Sequence, residues 1–479
     1  MGFIEKFELW TDDQHAHARD VLSRIQSDGI RSVRLSFVDQ HGLLRGKTLA
    51  ADALPTAFRD GFSAVSTLLS KDTSGITVFS AFEADGGHGV TEMGGAGDLV
   101  MVPDPTTFRV IQWADRTAWI LCDLRFTDGG QVPFCSRTLF KNALEHAHAS
   151  GYQYMTGLEI EFHLYHRRGH TNDESADTAA RPTGIAPINY GNQLLSEERG
   201  DELEPVTQIF RDQLATLGID LRTIEVEYGP NQVEVTLDPE VGITSADSMV
   251  LLRSSIKQLA RRNGYHATFM CRPQIPDTCS SGWHLHQSLL TTGADPGHNV
   301  FSPGEGTGAL SELGLHFIAG QLRHAHGACA FAAPTINGYK RFQPYSMAPD
   351  RVTWARDNRG AMIRIVGAVD DRNIHIENRI GEPAANPYLY MASQLHAGLL
   401  GIESKLPLGP SADDPYSTAA QRLPSNLAQA VDALDDDTAL KTAMGAQFVD
   451  YYVALKRAEI ARFDRTVTDW EQREYFDLY

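Results

Sequence analysis

LEIEFHL, at residues 158–164, alternates strictly between apolar and polar side chains. Alternation with a period of two predicts a β-strand whose successive side chains lie on opposite faces. Three other stretches share the pattern, and they read QVEVTL at residues 232–237, WHLHQSL at residues 283–289 and IHIENRI at residues 374–380. Their polar positions are almost all Glu, His or Arg, without lysine. The four stretches therefore predict strands with one apolar face and one face that binds a cation.

The composition limits the class of protein. The chain has 479 residues, of which 42% are hydrophobic, and a formal net charge of −19. This length is enough for two or three domains, and the acidic balance argues against a nucleic-acid partner, which requires a basic surface. The five cysteines form no CxxC pair, which is typical of reduced thiols in the cytoplasm. Since the chain also lacks an apolar run of membrane-spanning length and a signal-peptide pattern, we expect a cytoplasmic protein without a membrane partner.

Turn-forming residues and hydrophobic periodicity predict an α+β organisation. Residues 30–50 are expected to form a hairpin, and the turn cluster at residues 128–130 marks a boundary between domains 1–130 and 131–479. The polar residues 167–204 predict a long surface loop. Helices are expected from Ser136 as N-cap through His148, from Ser245 to Gly264, and as one long helix through Leu440, Met444, Phe448, Tyr452 and Leu455.

The polar strand positions favour hard divalent cations. Glu159 and Glu161 share one strand face about 7 Å apart, so their carboxylates repel each other unless a cation lies between them. The candidate ligands are Glu159, Glu161, Glu227, Glu234, His284 and Glu377. An oxygen-rich set with one histidine suits Mg²⁺ or Mn²⁺ better than zinc. Because the set is larger than one ion normally requires, we expect two or more ions, an arrangement used for phosphoryl transfer.

A second set of candidate residues is basic. It comprises Arg341, Arg356, Arg359, Arg364 and Arg379. Arginine binds carboxylates and phosphates in a bidentate manner. A salt-bridged surface is the alternative, but arginines beside a metal site neutralise a triphosphate and an acidic substrate together. The residues alone thus predict a Mg²⁺-dependent enzyme that transfers a phosphoryl group to a carboxylate.

Several longer motifs resemble the glutamine synthetase family over nearly the whole chain. Residues 157–162 (GLEIEF) resemble the first metal-ligand strand of the family, and residues 227–234 resemble its paired-glutamate turn. SGWHLHQSL at residues 281–289 is similar to its ATP and metal strand. Downstream similarities are found at residues 337–341 (NGYKR), 357–359 (DNR), 382–388 (EPAANPY) and 470–479.

The resemblance implies a fold and an assembly. We expect a small N-terminal β-grasp domain followed by a large catalytic α/β domain with a curved antiparallel sheet. We also expect a homo-oligomer, a dodecamer of two stacked hexameric rings with active sites between neighbouring subunits. The implied reaction phosphorylates the γ-carboxylate of glutamate with ATP and lets an amine displace the phosphate.

The resemblance also implies a role for each matching residue. The implied metal ligands form two sets, Glu161 with Glu227 and Glu234, and Glu159 with His284 and Glu377, of which the second holds the ion that bridges the ATP phosphates. The implied ATP contacts are His286, Ser288, Arg359 and Arg364, and the implied glutamate contacts are Arg341, Arg379 and Ser280. The implied catalytic arginines are Arg341, Arg359 and Arg379.

Two departures from the family pattern concern the amine. Met347 stands where family members that use ammonium carry a glutamate, and residues 60–69, which include Val65, lack an aspartate at the place that helps to bind ammonium. Ammonium requires anionic groups around it, whereas Met347 and Val65 suit an apolar amine. We therefore predict a ligase of the glutamate–amine branch, which joins glutamate to an alkyl or aromatic monoamine and gives a γ-glutamylamide, ADP and phosphate.

Other interpretations are open at this point. The alternatives are an ordinary glutamine synthetase that uses ammonium, a γ-glutamylpolyamine synthetase and a non-catalytic ring-forming relative. Cys279 and Ser280 replace the usual Asn-Gly contact to glutamate, which leaves room for a different acid. His375 replaces an arginine that contacts phosphate in the family.

Overall fold

The structure, a computed structural model, describes residues 1–167, 184–293, 296–303, 310–368, 371–417 and 419–479. Two β-sheets organise these residues, one in the N-terminal part of the chain and one in the remainder. None of the described helices has the length and apolar character needed to cross a membrane. The predicted α+β class is confirmed.

The N-terminal sheet begins with a hairpin. The elements of this region are α1 (Phe3–Lys6), α2 (Asp12–Ser27), β1 (Ser32–Val38), β2 (Leu44–Ala50), α3 (Leu54–Asp60), β3 (Phe62–Val65), β4 (Asp98–Pro103), β5 (Arg109–Ile111) and β6 (Thr117–Arg125). Within the described part of the chain, six strands form this sheet in the order β2-β1-β6-β4-β3, with β5 on β6. The predicted hairpin is confirmed, because β1 and β2 pair antiparallel and the Asp39 carboxylate accepts hydrogen bonds from the His41 and Leu43 N–H groups across the turn, both 2.9 Å.

The second sheet contains the alternating strands. Its region comprises α4 (Ser136–Ala149), β7 (Tyr152–Arg167), β8 (Ile185–Pro187), α5 (Glu197–Ala215), β9 (Leu221–Val226), β10 (Gln232–Val241), α6 (Thr244–Arg262), β11 (Tyr265–Thr268), β12 (Trp283–Thr291), α7 (Glu312–Arg323), α8 (Ala325–Ala332), β13 (Trp354–Arg356), β14 (Ile363–Val366), β15 (His375–Gly381), α9 (Pro387–Glu403), α10 (Leu427–Asp436), α11 (Thr438–Met444), α12 (Ala446–Phe463) and α13 (Asp469–Tyr475). The nine strands that the described residues place in this sheet have the order β13-β14-β15-β12-β7-β10-β9, with β8 and β11 on β7. Neighbouring strands are antiparallel except β13 and β14, which are parallel.

The register of the second sheet brings the polar positions together. Directly paired residues are Glu161 with Glu234, Glu159 with His284, and His286 with Glu377. The intervening residues Leu158, Ile160 and Phe162 are at most 2% exposed. They belong to the same core as apolar residues of α4 and α6, which pack on β7. One face of β7 is thus fixed by the core, and the other face presents the acidic groups.

Arg137 connects the two sheet regions. Its guanidinium is 2% exposed and lies 2.9 Å from Asp104, 3.0 Å from Asp123 and 2.8 Å from Asp247. Removal of a buried partner from such a cluster leaves an uncompensated charge, so the contact resists separation of the two regions. The domain boundary expected near residue 130 falls between β6 and α4 and stays a prediction.

The helices predicted after residue 130 are confirmed as α4 and α6, with one correction at the start of α4. Ser136 does not cap this helix, because the N-cap residue is Cys135 and makes no side-chain capping bond. The Ser136 hydroxyl is buried and donates to the Val38 carbonyl oxygen, 3.3 Å away. A tertiary contact has therefore replaced the local capping contact that the sequence suggests.

Two other predictions are wrong in part. The single long helix near the C-terminus is divided into α11 and α12, since Gly445 adopts φ +92° between them. The predicted loop 167–204 contains β8 and the start of α5, which the Ser196 side chain caps. Residues 168–183 of that loop lie outside the described residues.

Candidate active site

Two groups of acidic residues share one imidazole on the polar face of the second sheet. In the Glu377 group, potential ligand atoms of Glu159, His284 and Glu377 lie within 4.8 Å of one another. In the Glu234 group, the same is true of Glu161, Glu234 and His284. The pairing of β7 with β10 and β12, and of β12 with β15, brings these side chains together. His284 therefore lies between two candidate cation sites.

Glu227 lies beside the Glu234 group. It follows β9, and its backbone N–H donates to the Gln232 carbonyl oxygen (3.0 Å), which closes the turn into β10. Asn231 in this turn adopts φ +62°, a conformation that asparagine tolerates better than most residues. Burial, together with the charges of Glu159 and Glu225, raises the pKa of the Glu227 carboxyl. The tight turn thus places another carboxylate near an already acidic site.

Basic groups of the chain balance the Glu377 group. Arg379 donates from Nη1 to Glu377 Oε1, and Arg364 donates from Nη1 to Glu377 Oε2 (3.0 Å). His284 Nδ1 lies 2.8 Å from Glu159 Oε1. Burial by itself would raise the pKa of the Glu377 carboxyl, but Arg379 and His284 outweigh it and lower this pKa to about 2. Burial of Glu159 is likewise outweighed by His284, and the pKa of Glu159 lies well below its usual range.

The Glu234 group is not balanced in this way. Burial and the charge of Glu227 raise the pKa of the Glu161 carboxyl to about 8, although Arg341 acts in the opposite direction. Burial and the other carboxylates of the site raise the pKa of Glu234 to about 11. Buried carboxylates in such proximity either retain protons or bind a cation. Carboxylate oxygens with the single imidazole of His284 form a donor set that fits a hard divalent cation.

Arg341 joins the two groups. Its Nη1 donates to the Arg379 carbonyl oxygen (2.7 Å), and its Nη2 donates to His284 Nε2 (3.2 Å). Gly282 permits this approach, because a Cβ at that position would lie 2.5 Å from Arg341 Nη2. Burial and the charge of Arg379 lower the pKa of His284 to about 4, so the imidazole is neutral and accepts the bond. Arg341 and Arg379 are 5% and 3% exposed, and their guanidiniums are suited to an acidic substrate.

The remaining arginines differ in their burial and in their hydrogen-bond partners. Arg364 is partly buried, and its Nη2 donates to the exposed Asp357 carboxylate (2.6 Å). Arg359 is exposed. Arg356 donates to the Gly367 carbonyl oxygen (2.7 Å). Arg359 is therefore accessible to a ligand, whereas Arg364 pairs with carboxylates of the chain and Arg356 with its backbone.

A chain of imidazoles extends from Glu159. His286 Nε2 lies 3.0 Å from Glu159 Oε2, and His286 Nδ1 lies 2.9 Å from His375 Nε2. His375 Nδ1 lies 2.6 Å from the Asn373 carbonyl oxygen, so it donates there, and Nε2 of the neutral ring accepts from His286. Burial and His286 lower the pKa of His375, which keeps its ring neutral. Ser288 follows two positions after His286 on β12 and is 6% exposed.

Gln232 is a site residue that the sequence analysis misses. Its Nε2 donates to Glu161 Oε2 (2.7 Å), and it also lies 3.1 Å from Ser281 Oγ and 3.3 Å from the Ser280 carbonyl oxygen. It therefore holds Glu161 against the loop that carries Ser280. The alternation of β10 contains the signal, because Gln232 precedes Glu234 by two positions and lies on the same face.

Comparison with known proteins identifies the family. A family model described as "Glutamine synthetase, catalytic domain" matches residues 133–475. The chain belongs to the glutamine synthetase family. It is similar to the gamma-glutamylanilide synthase of Acinetobacter sp, with 42% identity over 100% of this chain and 99% of that protein. It is also similar to the gamma-glutamylethanolamide synthetase GlnA4 of Streptomyces coelicolor, with 32% identity over 95% of this chain and 94% of that protein.

The solved structures agree with this assignment. The structure described as "Apo GmaS without ligand" has a TM-score of 0.79 and 27% sequence identity, and the match covers 95% of this chain and 99% of that chain. The predicted family and fold class are confirmed, and the chain is an ATP-dependent carbon–nitrogen ligase by its family.

The two residues predicted to contact the amine, Met347 and Val65, are exposed. Met347 is 60% exposed with φ +61°, and its carbonyl oxygen accepts from Arg379 Nη2 (3.1 Å). Val65 is 41% exposed and lies on β3, at the end of the N-terminal sheet order. Asp60, in the same segment as Val65, is paired with its neighbour Arg59 (2.7 Å).

Proposed function

We propose that the chain is a glutamate–amine ligase, which phosphorylates the γ-carboxylate of glutamate with ATP and couples it to an alkyl or aromatic monoamine. The observation that carries the proposal is the contact of Arg341 with His284 and of Arg379 with Glu377. Guanidiniums beside a group of carboxylates are suited to hold an anionic substrate next to a cation. Similarity to a gamma-glutamylanilide synthase, a gamma-glutamylethanolamide synthetase and a glutamate–isopropylamine ligase supports an organic amine as acceptor.

The acidic groups are the proposed metal ligands. Glu161, Glu227 and Glu234 would hold one Mg²⁺ or Mn²⁺ ion, and the Glu377 group, which includes His284, would hold another. When bound, these ions would neutralise the phosphate charges of ATP. The raised pKa values of Glu161 and Glu234 support a cation at the first site, because the chain itself leaves their charges uncompensated. The neutral imidazole of His284 supplies a nitrogen ligand.

The basic and polar residues around the ions are the proposed substrate contacts. Arg341 and Arg379 bind the carboxylates of glutamate, with Ser280 beside them. The proposed ATP contacts are His286, Ser288, Arg359 and Arg364. A γ-carboxylate oxygen of glutamate attacks the terminal phosphorus and ADP leaves. The amine nitrogen then attacks the acyl carbon and expels phosphate, which takes up the proton that the nitrogen loses. The guanidiniums stabilise the negative charge of the phosphoryl oxygens.

The amine pocket and the assembly are linked in this proposal. Met347 lines the pocket from one subunit, and Val65 lines it from a neighbouring subunit of a homo-oligomer, a dodecamer of two stacked hexameric rings. Both side chains are exposed in the single chain, as expected of residues that meet across a subunit boundary. Ammonium or a polyamine would find apolar groups there in place of the charge partners that it needs.

Phosphate release from ATP tests the function directly. Purified enzyme with Mg²⁺ or Mn²⁺, ATP and glutamate is given aniline, isopropylamine, putrescine or ammonium in turn. We expect kcat/KM to be highest with a monoamine and turnover to require glutamate. Ammonium as the best acceptor would contradict the monoamine proposal. Absence of turnover with every amine, together with no stabilisation by Mg²⁺ and ATP, would indicate a non-catalytic relative.

Met347 offers a matched pair of variants. Met347→Glu introduces a carboxylate beside the amine, and Met347→Gln has a similar shape without the charge. We expect Met347→Glu to raise the ratio of ammonium to monoamine kcat/KM relative to Met347→Gln. An equal ratio in the two variants would show that Met347 lies outside the amine pocket.

A further inference from the structure

Tyr345 and Tyr416 form an aromatic pair at the rim of the site. Their ring centroids lie 4.8 Å apart, with 46° between the ring planes. Tyr345 is 77% exposed, whereas Tyr416 is partly buried. Aromatic rings at this separation attract one another, and the exposed ring offers a surface to a further planar apolar group.

Tyr416 is the fixed member of the pair. Its hydroxyl donates to the Ala348 carbonyl oxygen (2.9 Å), and its own carbonyl oxygen accepts from Arg351 Nε (3.2 Å). Its ring covers the backbone at Gly360, where a Cβ would lie 2.9 Å from Tyr416 Cε2. Gly360 directly follows Arg359, a proposed phosphate contact. The aromatic pair therefore has a defined position beside the phosphate side of the site.

The loop that carries Tyr345 is also tied to the acid-binding side. The Met347 carbonyl oxygen accepts from Arg379 Nη2 (3.1 Å), and the same guanidinium pairs with Glu377. Tyr345 and Met347 both adopt left-handed backbone conformations, φ +59° and +61°, and both side chains are exposed. The loop thus presents Tyr345 and Met347 next to the position proposed for the activated carboxylate of glutamate.

The exposed side chains at this position, Tyr345 and Met347, carry no charge and offer no anionic partner to a protonated amine. An alkylamine is protonated at neutral pH and must lose its proton before it can attack. An arylamine is uncharged under the same conditions, and its ring can stack on tyrosine.

We propose that Tyr345 and Tyr416 form the aromatic wall of the amine subsite and select an arylamine over a saturated amine of the same size. The inference rests on the proposed glutamate–amine ligase function and narrows its acceptor to aromatic monoamines. Tyr345 is the specificity-determining contact, and Tyr416 supports it from behind.

Aniline and cyclohexylamine are the matched substrates that test this selection. The ratio of their kcat/KM values, measured by phosphate release, cancels any effect on ATP or glutamate binding. We expect Tyr345→Leu to lower the aniline-to-cyclohexylamine ratio roughly three- to tenfold, the range given by one aromatic contact. Tyr345→Phe keeps the ring and should retain the wild-type ratio. Tyr475→Leu removes a tyrosine from another exposed ring pair, Trp470 with Tyr475, and should leave the ratio unchanged.

Inhibition of the wild-type enzyme gives a second measurement that needs no variant. Toluene carries the ring without a nucleophile, so it should compete with aniline more strongly than methylcyclohexane does, by a similar factor. An unchanged ratio in Tyr345→Leu with normal melting, or equal inhibition by the two hydrocarbons, would overturn the aromatic wall. If any amine is turned over in that same experiment, the ligase function is supported even though the aromatic wall is rejected. A variant that changes only the KM for ATP would likewise overturn the proposal, because the pair would then contact adenine.

Discussion

The two acidic groups of the site use the same kinds of side chain but differ in how their charge is balanced. Glu377 is enclosed by Arg379 and Arg364, and its pKa is lowered to about 2. Glu234 lies among other carboxylates, and burial raises its pKa to about 11. Glu377 is thus ionised in the chain alone, whereas Glu234 either retains its proton or requires a cation. The difference separates a candidate ligand set whose charge the chain balances from one whose charge it does not balance.

Removal of the Glu377 charge should have the largest effect on stability. Glu377→Gln leaves the guanidiniums of Arg379 and Arg364 without their buried partner, and this loss typically costs about 3–5 kcal/mol. We expect the free energy of unfolding in urea, measured with EDTA present, to fall by that amount and turnover to be lost. Glu312→Gln, at a side chain 90% exposed, is the matched control. A loss below about 1 kcal/mol in Glu377→Gln would contradict the balanced-charge account.

Replacement of Glu234, in contrast, should not lower the free energy of unfolding in EDTA. Without a cation the buried Glu234 carboxyl must retain its proton, which costs stability because it ionises freely on unfolding, and Gln removes this cost. Unfolding of Glu234→Gln in EDTA should therefore require as much urea as in the wild type or more. Addition of Mn²⁺ at a hundred times its Kd should stabilise the wild type by about 2.7 kcal/mol and the variant by much less. Equal metal stabilisation of the two proteins would show that Glu234 is not a ligand.

The sequence predicts which residues form the two acidic groups. It does not predict that arginines balance the charge of one group and not of the other. Strict alternation places Glu159, Glu161 and His284 on polar strand faces, because strand period and burial act locally. The balance of charge depends on which arginine reaches which carboxylate. The pairing of Arg364 with Glu377 and the link between Arg341 and His284 require a known fold. The family motifs predict that these residues converge without giving the partner of each.

The features that the sequence does not predict correctly have different physical causes. A tertiary contact outweighs the local signal when Ser136 donates to the Val38 carbonyl oxygen instead of capping α4. Gly445 interrupts an apolar periodicity that continues through it, because glycine adopts φ +92° at little cost. Gln232 differs from these two, because the alternation of β10 puts it on the polar face, but an uncharged side chain does not reveal that it binds Glu161. The functional roles of the site residues and the assembly stay predictions.

His375 allows a further test next to the Glu377 group. It accepts a hydrogen bond from His286 and so fixes the ring that contacts Glu159. His375→Leu removes the acceptor, and loss of one such bond costs about 1 kcal/mol. We expect the KM for ATP to rise roughly three- to tenfold, with the KM for glutamate unchanged. His375→Gln offers an oxygen acceptor and should restore part of the loss. A larger change in the KM for glutamate would place His286 away from the nucleotide.

Asp357 should show the smallest effect, and this tests whether burial is what makes the Glu377 group stable. Arg364 pairs with both carboxylates, but Asp357 is 73% exposed and Glu377 is fully buried. An exposed ion pair contributes about 0–1 kcal/mol because water screens it. Asp357→Asn also suits the left-handed backbone at this position, φ +49°. We therefore expect the urea midpoint in EDTA to change little. If the free energy of unfolding fell nearly as much as in Glu377→Gln, the exposed Asp357 would be the main partner of Arg364. Arg379 alone would then account for the contrast between the two acidic groups.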